Sequence, residues 1–122
     1  YKFVIGQNCK DYQLLCANCN HLKRLDAAIP PATVSAKYSQ DYGTRLRDKV
    51  LTLLGSKCVG CQNSDKRVLC VDHQTGGGRQ DKLRAGGSNA MYRNILKDKF
   101  GYQLLCWNCN WIKRHVDEEW GK

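Results

Sequence analysis

Methionine occurs once, and proline and phenylalanine twice each, among 122 residues. No apolar run is longer than a few residues, the stretch from Ala27 to Ile29 being typical. A membrane-crossing helix needs about 20 apolar residues and a signal-peptide core about 7 to 15, so neither is expected within this sequence. Acidic residues are also scarce: eleven Asp+Glu face twenty Lys+Arg, for a formal charge of +9. With 42% apolar and 25% charged residues the composition is that of a soluble globular chain, not of a disordered tail or a membrane protein. At 13.9 kDa there is room for one compact domain or two very small ones, and a core of that size commonly needs staples.

Cysteine is what the chain has in plenty. Of its eight cysteines, Cys9 and Cys70 stand alone, while Cys16/Cys19, Cys58/Cys61 and Cys106/Cys109 form three C-x-x-C pairs. Two residues between thiols suit a corner of a tetrahedral zinc site, and zinc is the reading preferred over four disulfides. The expected setting is therefore reducing and cytoplasmic. A basic excess beside such knuckles points to nucleic acid, because phosphates favour Lys and Arg. The excess is concentrated over residues 73–115, with eight Lys/Arg against two Asp; a solvated surface is the bland alternative.

An internal repeat organises the chain. The segment from Tyr12 to Arg24 matches that from Tyr102 to Arg114 at ten of thirteen positions, offset by 90 residues. Each copy reads as a short strand or turn, a knuckle, and the start of a helix. Pro30 and Pro31 mark a linker. The spacing of Leu46, Val50, Leu53 and Leu54 predicts a helix over 39–54, with Gly55 suited to its C-terminal cap. Residues 66–73 read as a strand, the glycine-rich 75–88 as a turn or loop, 90–99 as helical, and 110–120 as a helix.

Taken in order, residues 58–115 hold a C-x-x-C, a strand ending in Asp72-His73, a basic glycine-rich loop, a second C-x-x-C, and Asn110 directly after it. This resembles the HNH (ββα-metal, His-Me finger) endonuclease family, in its Asp-His…Asn branch typified by phage junction-resolving endonucleases. The resemblance implies an α+β fold, with a small zinc-stapled ββα-metal finger, flanking helices and a second partial knuckle. It divides the chain into a partial zinc-knuckle repeat (1–28), a linker and helix (29–55) and a nuclease domain (56–122). Cys58, Cys61, Cys106 and Cys109 would hold a structural zinc. Asp72 and Asn110 would bind a catalytic Mg²⁺ or Mn²⁺ through oxygen, and His73 would be the general base. The activity implied is hydrolysis of DNA phosphodiesters, with RNA and a homodimer left open. Arg79, Arg84, Arg93, Lys113 and Arg114 would contact phosphates. The rival is a non-catalytic zinc module that binds nucleic acid.

Departures from the family pattern sharpen these expectations. Asn110 and Arg114 stand where three-histidine members carry His, which favours a harder cation such as Mg²⁺. Gly101 replaces the family's middle Asn, whose loop-fastening role would pass to Asn94 or Asn89. On the terminal helix, Asn110, Lys113, Arg114 and Asp117 share a face expected to be exposed, while Ile112, Val116 and Trp120 form an apolar stripe expected to pack inward. Asp72 and His73 can serve one site only if the strand ends there, a distortion the glycines could supply. In the first copy, Cys9, Cys16 and Cys19 would make a second structural zinc site, its fourth ligand being His21, Cys70 or a partner's residue. That copy is either a reduced module or part of a longer two-finger protein. Cys70 otherwise reads as a small core or surface thiol, His21 and His115 as surface or packed histidines, and Trp107, Trp111 and Trp120 as packing residues, with stacking on bases the alternative for Trp111.

Overall fold

The computed structural model describes residues 13–116. Cys9, Asp117 and Trp120, which enter the expectations above, lie outside that range.

Helix α1 (Ala17–Asp26) starts where the Cys16 sulfur accepts the Cys19 amide at 3.4 Å, and Lys23 and Arg24 in its last turn suit the negative end of the helix dipole. A stretch without helix or strand, containing Pro30 and Pro31, follows, as the prolines favour. Helix α2 spans Val34–Leu53. It begins five residues before the predicted start because Thr33 caps it, accepting the Ala36 amide at 3.1 Å. It stops at a reversal in which Gly55 takes φ +99° and the Ser56 amide reaches back to the Leu51 carbonyl at 2.8 Å.

Strand β1 (Leu69–His73) is shorter than expected. Residues 66–68 form a turn instead, in which Asp65 accepts the Arg67 amide at 3.0 Å through its side chain and the Val68 amide at 3.1 Å through its carbonyl. Arg47 on α2 donates to the Lys66 and Leu69 carbonyls, each at 2.6 Å, and so pins the strand's entry. The predicted loop over 75–88 contains helix α3 (Gly78–Ala85), bounded by Gly77 and Gly86, both with positive φ. Asp81 stands in its first turn and Lys82 and Arg84 in its last, as the helix dipole favours, although Arg79 shares the first turn; the count of glycines obscures this pattern. Helix α4 (Ser88–Lys97) buries Met91 and Ile95, one turn apart. Strand β2 (Tyr102–Cys106) pairs antiparallel with β1, Leu69 opposite Cys106 and His73 opposite Tyr102, and leads directly into helix α5 (Trp107–Val116).

The architecture is mixed α and β, with one small two-stranded sheet among the described residues. Leu51, Cys58, Val68, Leu69, Leu104, Leu105 and Cys106 form one core cluster, so α2 shares a core with the strands and the cysteine-bearing turn. Val50, Met91 and Ile95 form a second between α2 and α4. Each such side chain, fully buried, is worth about 1.5–3 kcal/mol. The expected inward packing of the α5 stripe does not occur: Ile112 is 62% and Val116 74% exposed. The face carrying Asn110 turns inward in its place, because α5 lies against both strands and Asn110 points at β1. No helix among the described residues is long and apolar enough to cross a membrane.

Candidate metal centre and basic cleft

The turn after α2 and the junction of β2 with α5 bring four thiols together. The sulfurs of Cys58, Cys61, Cys106 and Cys109 all lie within 4.8 Å of one another, with Cys61 and Cys106 at 3.7 Å. Four sulfurs at about 2.3 Å around zinc stand about 3.8 Å apart, so this set could hold a structural metal such as zinc. Backbone amides orient the ligands: Gly60 donates to Cys58 at 3.4 Å and Cys109 to Cys106 at 3.5 Å. A side chain at residue 60 would put its Cβ 2.9 Å from the Cys109 sulfur, which is why glycine stands there. Burial works against a Cys58 thiolate, yet the amides of Cys106, Cys61 and Gly60 outweigh it and bring the thiol down to about 7. Burial, and then the Cys58 sulfur, push Cys109 the opposite way.

A second site begins one residue beyond that cluster. A cleft of about 370 Å³ is lined by Asp72 and His73 from the end of β1, Gly76, Gly77 and Gly78 from the turn into α3, Arg79 and Lys82 from α3, and Asn110 and Arg114 from α5. The three residues expected to do chemistry are therefore neighbours. The strand does end at His73, where the Gly76 amide closes a turn on the His73 carbonyl at 3.0 Å.

Asp72 is 8% exposed, and its Oδ2 accepts from Gln103, its cross-strand partner, at 2.8 Å and from the Lys113 ammonium at 2.9 Å. Both bonds fall on one oxygen, so Oδ1 is engaged by neither. Asn110, also 8% exposed, donates its amide nitrogen to the Cys70 sulfur at 3.4 Å, a bond that leaves its Oδ1 unused. Cys70 in turn donates to the Leu105 carbonyl at 3.0 Å, and burial pushes its thiol up to about 11, so it is an unreactive packed thiol. Asp72 and Asn110 thus stand beside a cleft that also carries Arg79, Lys82 and Arg114.

His73 is held by a residue that sequence reasoning missed. Its Nε2 lies 2.8 Å from Asp81 Oδ2, the same oxygen that accepts the Tyr102 hydroxyl at 2.6 Å. The Tyr102 and His73 rings meet edge to face, centroids 4.8 Å apart. The Tyr102 hydroxyl, followed by the His73 ring, holds the Asp81 carboxyl below its ordinary range, and Tyr102 is pushed up to about 12 by that carboxylate. The loop is thus fastened by Asp81 and Tyr102, with the Gln74 amide on the Gly101 carbonyl at 2.9 Å. Asn89 instead faces Gly43 on α2, and Asn94 lies on α4, where its backbone carbonyl accepts the Asp98 amide. Asp81 is legible only as the acidic residue in the first turn of a short helix, a helix that the surrounding glycines hide.

The other expected phosphate contacts are scattered. Arg79 and Arg114 line the cleft, as does Lys82, which sequence reasoning passed over. Lys113 points inward, 15% exposed, onto Asp72 and the His73 carbonyl at 2.7 Å. Arg93 donates to the Tyr42 hydroxyl at 3.3 Å, and neither it nor Arg84 lines the cleft.

In the first copy of the repeat, Cys16 and Cys19 are exposed, and no third ligand joins them among the described residues. His21 packs on Trp107 with centroids 5.0 Å apart, and Cys70 is occupied as above. The Cys19 amide, then the Asn108 side chain, pull the Cys16 thiol down to about 7. Compared with protein-family models, curated proteins and solved structures, the chain finds no match in any of the three.

Proposed function

We propose that this chain is a metal-dependent endonuclease of the HNH, ββα-metal kind, hydrolysing DNA phosphodiester bonds. The observation that carries the reading is the cleft in which Asp72, His73 and Asn110 converge beside Arg79, Lys82 and Arg114. The pairing of β1 with β2, and the passage of β2 straight into α5, support the reading as a ββα finger into which α3 and α4 are inserted between the strands, with the four-cysteine cluster linking the turn after α2 to the start of α5. Asp72 and Asn110 would hold a Mg²⁺ or Mn²⁺ ion through their oxygens, and such an ion supplies Lewis-acid stabilisation of phosphate charge. The remaining roles fall to the chain itself. The guanidinium groups of Arg79 and Arg114 bind and orient the phosphodiester. His73 takes the proton of the attacking water, which leads to 5′-phosphate and 3′-hydroxyl ends.

One observation favours a second reading, a non-catalytic zinc module that binds nucleic acid. The ion pair of Lys113 with Asp72 gives that carboxylate a purely structural task. Supercoiled plasmid, branched DNA and RNA, each incubated with and without Mg²⁺ or Mn²⁺, separate the two readings. The nuclease reading expects metal-dependent cutting by the parent, and none by His73→Ala at unchanged zinc content and DNA binding. Equal rates for parent and variant would overturn it, and binding without cutting by the parent would establish the module.

A further inference from the structure

We propose that Asp81 and Gly78 are positioning residues that act on opposite nitrogens of His73, Asp81 fixing the proton on Nε2 and Gly78 keeping Nδ1 open toward the cleft. The proposal deepens the nuclease reading and rests on it for its catalytic meaning, while the arrangement of the ring can be tested without it.

The first half follows from what an ionised carboxylate can do. Asp81 Oδ2 lies 2.8 Å from Nε2 and already takes the Tyr102 hydroxyl at 2.6 Å. A carboxylate only accepts, so the nitrogen facing it must carry the proton, and in the neutral ring the lone pair is then on Nδ1. Tyr102 stands opposite His73 across the sheet, so the strand register itself delivers the hydroxyl that steadies the carboxylate.

The second half concerns the other nitrogen. A Cβ at residue 78 would sit 2.8 Å from Nδ1 and 3.2 Å from Cε1. Gly78 is the first residue of α3, and its backbone is not in the left-handed region, so conformation does not call for glycine. Glycine is also a poor helix former, so helix formation gives no reason for it. What it supplies here is space in front of a ring nitrogen, in a wall that also holds Asp72 and Asn110. A structural bond to Asp81 would fix the tautomer as well, but it gives no reason to leave the other lone pair uncovered.

The test starts with nitrogen-resolved NMR of the imidazole rings at about pH 8, His73→Ala assigning the signals among three histidines. The parent should show a proton on Nε2 of His73, shifted downfield and protected from exchange, and Asp81→Ala should lose that protection. A protected proton on Nδ1, or an Nε2 proton unchanged in Asp81→Ala, overturns the proposal whether or not the chain cuts DNA. Cleavage then tests the consequence. Asp81→Ala should slow single-turnover cutting about tenfold or more at unchanged zinc content, with part of the rate restored in Asp81→Glu. Gly78→Ala should keep the protected Nε2 proton and still lose about tenfold, a combination that general misfolding would not give. Full activity in both alanine variants overturns the proposal. The expected NMR pattern in a parent that cuts no substrate overturns the nuclease reading and leaves the ring geometry standing.

Discussion

Two nearly identical thirteen-residue segments meet different fates in this molecule. In the second copy, Leu104 is fully buried, Tyr102–Cys106 is a strand, and Asn110 is buried beside Asp72. In the first, Leu14 is 100% exposed, residues 13–16 form no strand, and α1 buries no residue. Yet both copies make the same knuckle, a cysteine sulfur accepting the amide three residues on, at 3.4 Å and 3.5 Å, with a helix following. The cap and the helix are local and recur wherever the sequence does. The strand is not local: β2 exists because β1 lies beside it, and nothing among the described residues pairs with residues 13–16. The same holds for the metal corner, which Cys58 and Cys61 complete for one copy only.

The strongest way to break this comparison is to exchange a cysteine in each copy. Cys106→Ser removes a ligand from the four-sulfur centre and a residue from the core. It should lose one equivalent of metal and about 3 kcal/mol or more, a fall in melting temperature of about 12 °C or more. Cys16→Ser changes an exposed thiol into a better helix cap and should move stability by no more than about 0.5 kcal/mol, either way. Elemental analysis and thermal melts decide it. Equal metal loss in the two variants would mean that the first knuckle also completes a site.

Asn20 and Asn110 give the next contrast. They hold the same place in the repeat, but Asn20 is exposed, whereas Asn110 lines the cleft with Asp72 and His73. Under the nuclease reading, Asn110→Ala should cost about 10² or more in single-turnover rate at saturating Mg²⁺. Asn20→Ala should stay within about three-fold of the parent. An Asn20 variant as inactive as the Asn110 variant would place the first copy in the catalytic unit.

Much of this was legible in the sequence, and the limits have physical causes. The spacing of the second and third C-x-x-C pairs anticipates the four-sulfur cluster because knuckles are local, and Asp72, His73 and Asn110 share a cleft as the motif order suggests. The inward face of α5 was not legible. Periodicity placed Ile112 and Val116 on an apolar stripe, but the faces of a helix are assigned by its neighbours, and the strands lie against Asn110 and Lys113. Asp81 is hidden for a related reason: five glycines over 75–88 outweigh, in any propensity count, the helix-forming residues of the eight-residue helix docked on α4.

The smallest expected effect concerns the contact that joins the two copies. Asn18 and Asn108 are the second residues of α1 and α5, each with a backbone N–H that its own helix cannot satisfy. The Asn18 amide donates to the Asn108 side-chain oxygen at 3.0 Å, and the Asn108 amide donates to the Asn18 side-chain oxygen at the same distance. Each copy therefore caps the other's helix, a reciprocal arrangement that follows from equal sequences meeting face to face. Removing either side chain deletes one cap and strands one donor, so Asn18→Ala and Asn108→Ala should each cost about 1 kcal/mol, and nearly the same amount. The double variant should cost less than their sum, because α1 no longer seated on α5 has nothing further to lose. Asn18→Asp keeps the accepting oxygen and places a negative charge in the first turn of α1, so it should lie within about 0.5 kcal/mol of the parent. Denaturant melts of the four variants measure all of this. Strict additivity, or a cost confined to Asn108, would show that the first copy rests on the second without capping it.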